Sequence, residues 1–146
     1  WRLVLAGSAG FGAEAILEAI ESSPCRSRIS VLGYVDAATL AAWYRRAQIL
    51  AFASLDEGFG IPVLEAMAAG VAVVTSTRSA LPEVAGNAAL LVDPLRTEEL
   101  AHALRRLTVE PDFRRELCRL GRKRAEEFTW SGAVRKTWEV YRELGR

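Results

Sequence analysis

The fold of this chain is indicated by one stretch, Asp56-Glu57-Gly58-Phe59-Gly60-Ile61-Pro62-Val63-Leu64-Glu65. An apolar run over 49–53 precedes it and predicts a buried strand, and a helical pattern over 62–69 follows it. A glycine-bearing loop between a strand and a helix presents backbone N–H groups at the helix N-terminus, where phosphate can bind. Pro62 suits the first helical turn, because its missing N–H would have no intrahelical partner there.

Two acidic side chains flank this loop. Glu57 lies on the loop, and Glu65 lies about one turn into the predicted helix. Carboxylates accept hydrogen bonds from the paired hydroxyls of a ribose or a sugar, and N–H groups at a helix start suit a phosphate. A ligand with a sugar, phosphates and a ribose would use all three features. The loop therefore predicts a site for a nucleotide-diphosphate sugar.

Short apolar strands alternate with helical patterns along the chain. The predicted strands cover 3–6, 29–32, 49–53, 71–75 and 88–92, and the pattern from Thr97 onward is wholly helical. This alternation favours an α/β fold, with a Rossmann-like parallel sheet flanked by helices and a helical C-terminal segment. Ligands in such sheets bind beyond the carboxyl ends of the strands. We expect one edge of the sheet to hold the turns at 7–12, 33–36, 54–60 and 76–79.

Helix ends and exposed faces are predicted from local chemistry. We expect Asp36 to cap the second helix, Gly70 to end the third, Thr97 to cap the helix that follows it, and Thr129 or Ser131 to cap the last. The helix that begins at Pro111 carries a basic run, which we interpret as a solvent-exposed face. Its members are Arg114, Arg115, Arg119, Arg122, Lys123 and Arg124.

Composition excludes several classes of protein. The chain of 146 residues suits one domain, and 51% hydrophobic with 25% charged residues is ordinary for a globular protein. A net charge of +1 argues against charge-driven binding of nucleic acid, and no apolar run approaches the ~20 residues of a membrane span. The single histidine, His102, leaves little material for a histidine metal site. Cys25 and Cys118 form no motif, and we interpret both as reduced residues of a cytoplasmic protein.

Several ordered blocks resemble a known family. Residues 31–144 are similar to the C-terminal, donor-binding domain of a family 4 glycosyltransferase of the GT-B fold. The stretch from Asp56 to Val71 resembles the E-x7-E signature of that family and its continuation, and Phe128-Thr129-Trp130 resembles the start of its closing helix. Three further blocks match in order and spacing: Leu32-Gly33-Tyr34-Val35, Ser79-Ala80-Leu81-Pro82-Glu83-Val84-Ala85-Gly86 and Leu91-Val92-Asp93-Pro94.

The resemblance implies a role for each matching site residue. Glu57 would be the catalytic-site acid that faces the hydroxyls of the donor sugar, and Glu65 would hold the ribose hydroxyls. Backbone N–H groups for the sugar and diphosphate would come from Gly58, Phe59 and Gly60. The base would be bordered by the backbone of Gly33, Tyr34 and Val35.

The resemblance also implies an activity. The full protein would transfer a hexosyl group from a nucleotide-diphosphate sugar to a glycan or lipid acceptor, with retention of anomeric configuration. It would need no divalent metal and no other cofactor. We expect no nucleic-acid partner and no membrane span, with peripheral membrane contact left open for the full protein.

The expected domain is residues 1–146, the nucleotide-sugar-binding half of a GT-B enzyme. The family's domain begins with an earlier strand and helix that carry an Arg and a Lys for the diphosphate, whereas this chain begins in a strand pattern at Trp1. Residues 1–95 hold 6 basic and 9 acidic side chains, a net charge of −3, and only Arg78 is a basic residue expected near the site. We therefore expect a fragment truncated at its N-terminal end, without the acceptor-binding domain and inactive alone.

Two alternatives remain open from the residues. A glycosidase could use Glu57 and Glu65 as acid and nucleophile, with carboxyl groups ~5–10 Å apart across a sugar cleft. A non-catalytic α/β binding domain could instead carry both acids as solvated surface groups. Arg78 and Glu83 are left open between the edge of the site and ordinary surface.

Overall fold

The computed structural model describes residues 1–10 and 12–145. Phe11, in the predicted glycine turn, and Arg146 lie outside the described residues. The chain divides into two compact units, Trp1–Trp43 and Tyr44–Arg146, and the boundary falls inside a helix.

The first unit contains a pair of parallel strands. Its elements are β1 (Leu3–Ala6), α1 (Ala13–Glu21), a 3₁₀ helix (Arg26–Arg28), β2 (Ile29–Gly33) and most of α2 (Ala37–Arg46). Leu3 lies opposite Ile29 in the pair, and the Gly7 N–H donates to the Gly33 carbonyl oxygen at 2.8 Å. Each strand of this unit therefore leads into a glycine turn at the carboxyl edge.

The cap of α2 follows the sequence prediction. The Thr39 N–H donates to Oδ1 of Asp36 at 2.7 Å, and this backbone bond lowers the pKa of the Asp36 carboxyl group. A carboxylate that accepts an N–H in the first turn satisfies a donor that the helix itself cannot.

The second unit contains a three-stranded parallel sheet. Its elements are β3 (Ile49–Phe52), α3 (Ile61–Ala69), β4 (Ala72–Ser76), α4 (Leu81–Ala85), β5 (Ala89–Val92), α5 (Thr97–Val109), α6 (Pro111–Ala125) and α7 (Trp130–Leu144). The order is β3-β4-β5, with Ile49 opposite Ala72 and Val73 opposite Ala89. Every residue of β4 is buried, as expected for the central strand of a covered parallel sheet.

The predicted α/β fold, with parallel strands flanked by helices, is confirmed. The described strands form two parallel sheets, β1–β2 and β3–β4–β5. The apolar pattern of a strand indicates how deeply the strand is buried, whereas its hydrogen-bond partner is chosen by the rest of the fold. That choice could not be read from any one strand.

One hydrophobic cluster of the second unit lies between its sheet and helices α5 and α6. The buried members of this cluster are Ala72, Val74, Val92, Ala103, Leu107 and Leu117. Residues of α3 and α4, among them Met67 and Leu81, are also fully buried. Helix α6 also approaches α3 closely, because Gly121 lacks a side chain where a Cβ would lie 3.1 Å from Cγ of Met67. Gly70 ends α3 with φ of 76°, which confirms the predicted glycine stop.

Two predictions about helices need correction. Thr97 is the first residue of α5 and not its cap; Arg96 precedes the helix, and its side chain makes no capping bond. Thr129 does cap α7, because its Oγ1 accepts from the Gly132 N–H at 3.1 Å. The interpretation of the basic run as a solvated face is partly wrong, because Arg124 donates to carbonyl oxygens of α4 and Arg114 donates to the Leu107 carbonyl oxygen.

Membrane-spanning helices were expected to be absent. Within residues 1–10 and 12–145, no helix combines the length and the apolar character that crossing a membrane requires.

Candidate functional site

The candidate site of the second unit lies at the carboxyl edge of its sheet. The loop 53–60 follows β3, the loop 77–80 follows β4, and Asp93 follows β5. Thr75 Oγ1 donates to the Phe52 carbonyl oxygen at 2.8 Å, so the ends of β3 and β4 are tied where the two loops begin. Parallel strands bring these three segments to one edge, which is where α/β domains place ligands.

The first loop enters α3 through Gly60. This glycine is buried, and its φ is 109°, a value that side-chain-bearing residues rarely adopt. A Cβ at Gly60 would lie 2.6 Å from Cδ2 of Leu81, which is fully buried on α4. The loop thus lies directly against α4, and only glycine fits at this point.

The second loop holds the first through the hydroxyl of Ser79. Its Oγ accepts from the Glu57 N–H at 3.1 Å and lies 2.5 Å from Oδ1 of Asp56 and 2.8 Å from the Glu57 carbonyl oxygen. Ser79 has φ of 58° and is the non-glycine residue with positive φ among the described residues. Sequence reasoning missed the contact between Ser79 and Asp56, since residues 23 positions apart give no local signal of contact.

An aromatic contact holds the tip of the loop. The rings of Phe59 and Phe128 meet edge to face, with centroids 5.8 Å apart and an interplanar angle of 75°. The Arg124 guanidinium lies 4.7 Å from the centroid of the Phe128 ring. Loop 53–60 therefore contacts the segment between α6 and α7, which sequence analysis had identified only as a block that resembles the family.

Glu65 has a partner on the preceding helix. The phenol of Tyr44, at the second-unit end of α2, is buried and hydrogen-bonds to the Glu65 carboxylate. Burial raises the pKa of Tyr44 to about 12, and the negative charge of Glu65 and its hydrogen bond contribute in the same direction. Tyr44 is therefore a buried residue that interacts directly with Glu65.

The structure brings five of the eight predicted site residues into one loop and helix. Glu57 is half-buried on loop 53–60, and Glu65 is exposed on α3. The other members of this group are Gly58, Phe59 and Gly60. Gly33, Tyr34 and Val35 belong to the first unit at the end of β2, where Gly33 has φ of 68° and Tyr34 is 80% exposed.

Arg78 and Glu83, which the sequence left open between the edge of the site and ordinary surface, have different surroundings. Arg78 lies at the site edge, where its Nη2 is 3.4 Å from Oδ1 of Asp93. Both side chains are more than a third exposed, so this pair contributes little to stability. Glu83 is exposed, and its carbonyl oxygen accepts from Arg124.

The fold and this loop define an α/β domain with a candidate site at the carboxyl edge of parallel strands. A family model described as "Glycosyl transferases group 1" matches residues 1–109, and the chain belongs to this family. The structure resembles sucrose-phosphate synthase from Thermosynechococcus elongatus, with a TM-score of 0.85 and 28% identity, covering 98% of this chain and 38% of that one. This likeness confirms the predicted GT-B type of domain.

Two curated relatives are similar in sequence. O-antigen chain mannosyltransferase B from Escherichia coli is 35% identical over 146 residues, which is 99% of this chain and 38% of the relative. MMP alpha-(1->4)-mannosyltransferase from Mycolicibacterium hassiacum is 42% identical over 106 residues, which is 70% of this chain and 26% of the relative. The chain thus spans well under half the length of each.

Proposed function

We propose that this chain is the donor-binding domain of a retaining glycosyltransferase. The enzyme transfers a hexosyl group from a nucleotide-diphosphate sugar to a glycan or lipid acceptor held by a separate N-terminal domain. Family membership and two relatives named as mannosyltransferases support this proposal. The observation that carries it is the placement of Glu57 and Glu65 on one strand–loop–helix unit whose loop is fixed from three sides, by Ser79, Leu81 and Phe128.

In this proposal the two acids bind the two ends of the donor. Glu57 accepts from hydroxyls of the transferred sugar, and Glu65 accepts from the ribose hydroxyls. Paired hydroxyls and a carboxylate give charge-assisted bonds, which are stronger than neutral ones. Gly33, Tyr34 and Val35 border the base through their backbone.

The diphosphate lies between the acids in this proposal. N–H groups of Gly58, Phe59 and Gly60 and the N-terminus of α3 stabilise the negative charge that develops on the diphosphate as its bond to the sugar breaks. Transfer then requires no divalent metal. Because Arg78 already contacts Asp93, the isolated chain provides little positive charge for the phosphates, and we propose that it is inactive alone. The retaining outcome and the cytoplasmic location also stay predictions.

Titration of the full-length protein with nucleoside diphosphates tests the roles of the acids. We expect Glu65→Gln to weaken binding of the preferred nucleoside diphosphate about 10-fold, because a charged acceptor of the ribose is lost. Glu57→Gln should keep that affinity and lower kcat about 100-fold, because it affects only the transferred sugar. Glu98→Gln, at an exposed position of α5, is the matched control and should change neither.

Several outcomes would contradict the proposal. Unchanged nucleotide affinity in Glu65→Gln would remove the role of Glu65, and loss of activity on treatment with a chelator would contradict metal-free transfer. Failure of the full-length protein to bind any of a panel of uridine, guanosine and adenosine diphosphates would instead favour a glycosidase or a non-catalytic domain. Uridine- and guanosine-diphosphate sugars of glucose and mannose, compared in the same assay, would identify the donor.

A further inference from the structure

We propose that Ser79 is a positioning residue, whose hydroxyl sets the place of Glu57 at the reacting sugar. The proposal rests on the function proposed above, because it concerns the acid assigned to the transferred sugar. It extends the proposed site to a residue of loop 77–80, and it accounts for the positive φ of Ser79.

The contacts of Ser79 converge on one residue. The hydroxyl oxygen accepts from the Glu57 N–H at 3.1 Å and lies 2.8 Å from the Glu57 carbonyl oxygen. One side chain thus engages both backbone polar groups of Glu57, and it fixes the peptide planes on either side of that residue. Because these planes determine where the Glu57 side chain starts, a shift in Ser79 moves the carboxylate with it.

Asp56 determines which way the Ser79 hydroxyl points. A hydroxyl has a single hydrogen, which here is shared between Oδ1 of Asp56 at 2.5 Å and the carbonyl oxygen of Glu57 at 2.8 Å. The shorter distance is typical of an O–H donor to a carboxylate. With its hydrogen directed towards these two acceptors, the Ser79 oxygen keeps a lone pair for the Glu57 N–H.

The backbone of Ser79 adopts an unfavourable conformation that accompanies these contacts. Its φ of 58° lies in the left-handed region, where a side chain is disfavoured and where strain is found mainly at functional sites. Glycine would adopt this conformation freely but would bring no hydroxyl. The neighbouring turn is itself held, since the Arg78 N–H donates to Oγ of the buried Ser76 at 3.0 Å. The strained position is therefore fixed on one side by the sheet and on the other by Glu57.

The decisive variant is Ser79→Gly, tested in the full-length enzyme. It removes the hydroxyl and relieves the backbone strain, so it separates the two properties of Ser79. We expect kcat to fall about 30-fold while the affinity for nucleoside diphosphate and the melting temperature stay as in the parent, since misplacement of a catalytic group by about 1 Å costs rate on this scale. Thr77→Ala is the matched control: it removes an exposed hydroxyl from the same loop and should leave kcat unchanged.

Asp56→Asn independently tests whether Asp56 acts on Glu57 through the Ser79 hydroxyl. It keeps an acceptor for Ser79 but removes the charge, so we expect a smaller loss of kcat, about 3-fold. Combined with Ser79→Gly it should add no further loss, because residues that act through one contact are not additive. If the fold-losses of kcat in the two single variants multiply in the combined variant, Asp56 does not act through Ser79.

The outcomes separate this inference from the proposed function. If Glu57→Gln keeps full activity, the role proposed for Glu57 is wrong, whatever the activity of Ser79→Gly. If Glu57→Gln loses activity and Ser79→Gly keeps it, the inference alone is wrong. A Ser79→Gly enzyme that loses nucleotide affinity and melting temperature together with kcat would show a general support of the loop, which would also overturn the positioning role.

Discussion

Arg124 on α6 donates from its Nη2 atom to the carbonyl oxygen of Glu83 on α4 at 2.6 Å. Its Nε atom donates to the neighbouring Val84 carbonyl oxygen at 3.0 Å, so a single guanidinium binds two carbonyl groups at the end of a five-residue helix. The last carbonyl groups of a helix have no partner within it, and a planar guanidinium suits such a pair. Helix α6 thereby stabilises α4, which in turn lies against Gly60 of the candidate site.

Replacing Arg124 tests this link. We expect Arg124→Met to lower the free energy of unfolding by about 2 kcal/mol, because two charge-assisted bonds to a partly buried helix end are lost. Arg119→Met is the control on the same helix, where the side chain is 63% exposed and pairs with Glu116. It should change stability by less than about 0.5 kcal/mol. Equal effects in chemical denaturation would contradict a special role for Arg124.

The close approach of Gly60 to Leu81 can be tested by substitution, and Gly58 of the same loop provides the control. Gly60→Ala should destabilise the domain by about 3 kcal/mol, since it combines a left-handed backbone with a Cβ 2.6 Å from the buried Leu81 side chain. Gly58→Ala should have almost no effect on the free energy of unfolding, because a Cβ there would meet nothing within 4 Å. Similar losses of stability in the two variants, measured by urea denaturation, would show that the loop does not press against Leu81.

Local chemistry in the sequence predicted local features well. The Asp36 cap joins residues three apart, and the Gly70 stop depends on the conformation of a single residue, so both could be inferred from neighbours alone. Thr97 failed as a cap because the helix begins one residue earlier than its preferred capping chemistry indicates, with Arg96 as the extended residue that precedes it. The order of strand, glycine-bearing loop and helix around Gly60 was predictable because these segments are contiguous.

Long-range partners were outside the reach of sequence reasoning. Nothing near Arg124 signals that its guanidinium binds carbonyl groups about 40 positions earlier, so the residue was interpreted as part of a solvated face. The same limit concealed the bonds of Ser79 to Asp56 and Glu57 across two loops. Partition of the strands into two sheets is also a choice among distant partners. The contacts that hold the loop could therefore not be predicted from the sequence, and the roles assigned to its residues stay predictions.

The Tyr44 phenol gives a pH-dependent prediction. Burial and the adjacent Glu65 carboxylate raise the pKa of Tyr44 from its ordinary value of 10.0 to about 12. The unfolded chain therefore loses this proton at lower pH than the folded chain does, and the unfolded state binds fewer protons between these values. Under proton linkage, the contribution of Tyr44 to stability is full below pH 10.0 and is lost as the pH rises to about 12.

The measurement compares the parent chain with Tyr44→Phe in urea denaturation across this window. The variant should be less stable by about 1 kcal/mol at neutral pH, because the hydrogen bond to Glu65 is lost. Its stability should fall less steeply than that of the parent as the pH rises from 10.0 to about 12, because the phenol that titrates late is gone. Tyr141→Phe, at a 65% exposed position of α7, is the control and should keep the parental slope. Identical slopes for the parent and Tyr44→Phe would mean that the Tyr44 phenol is not protected by burial and by Glu65.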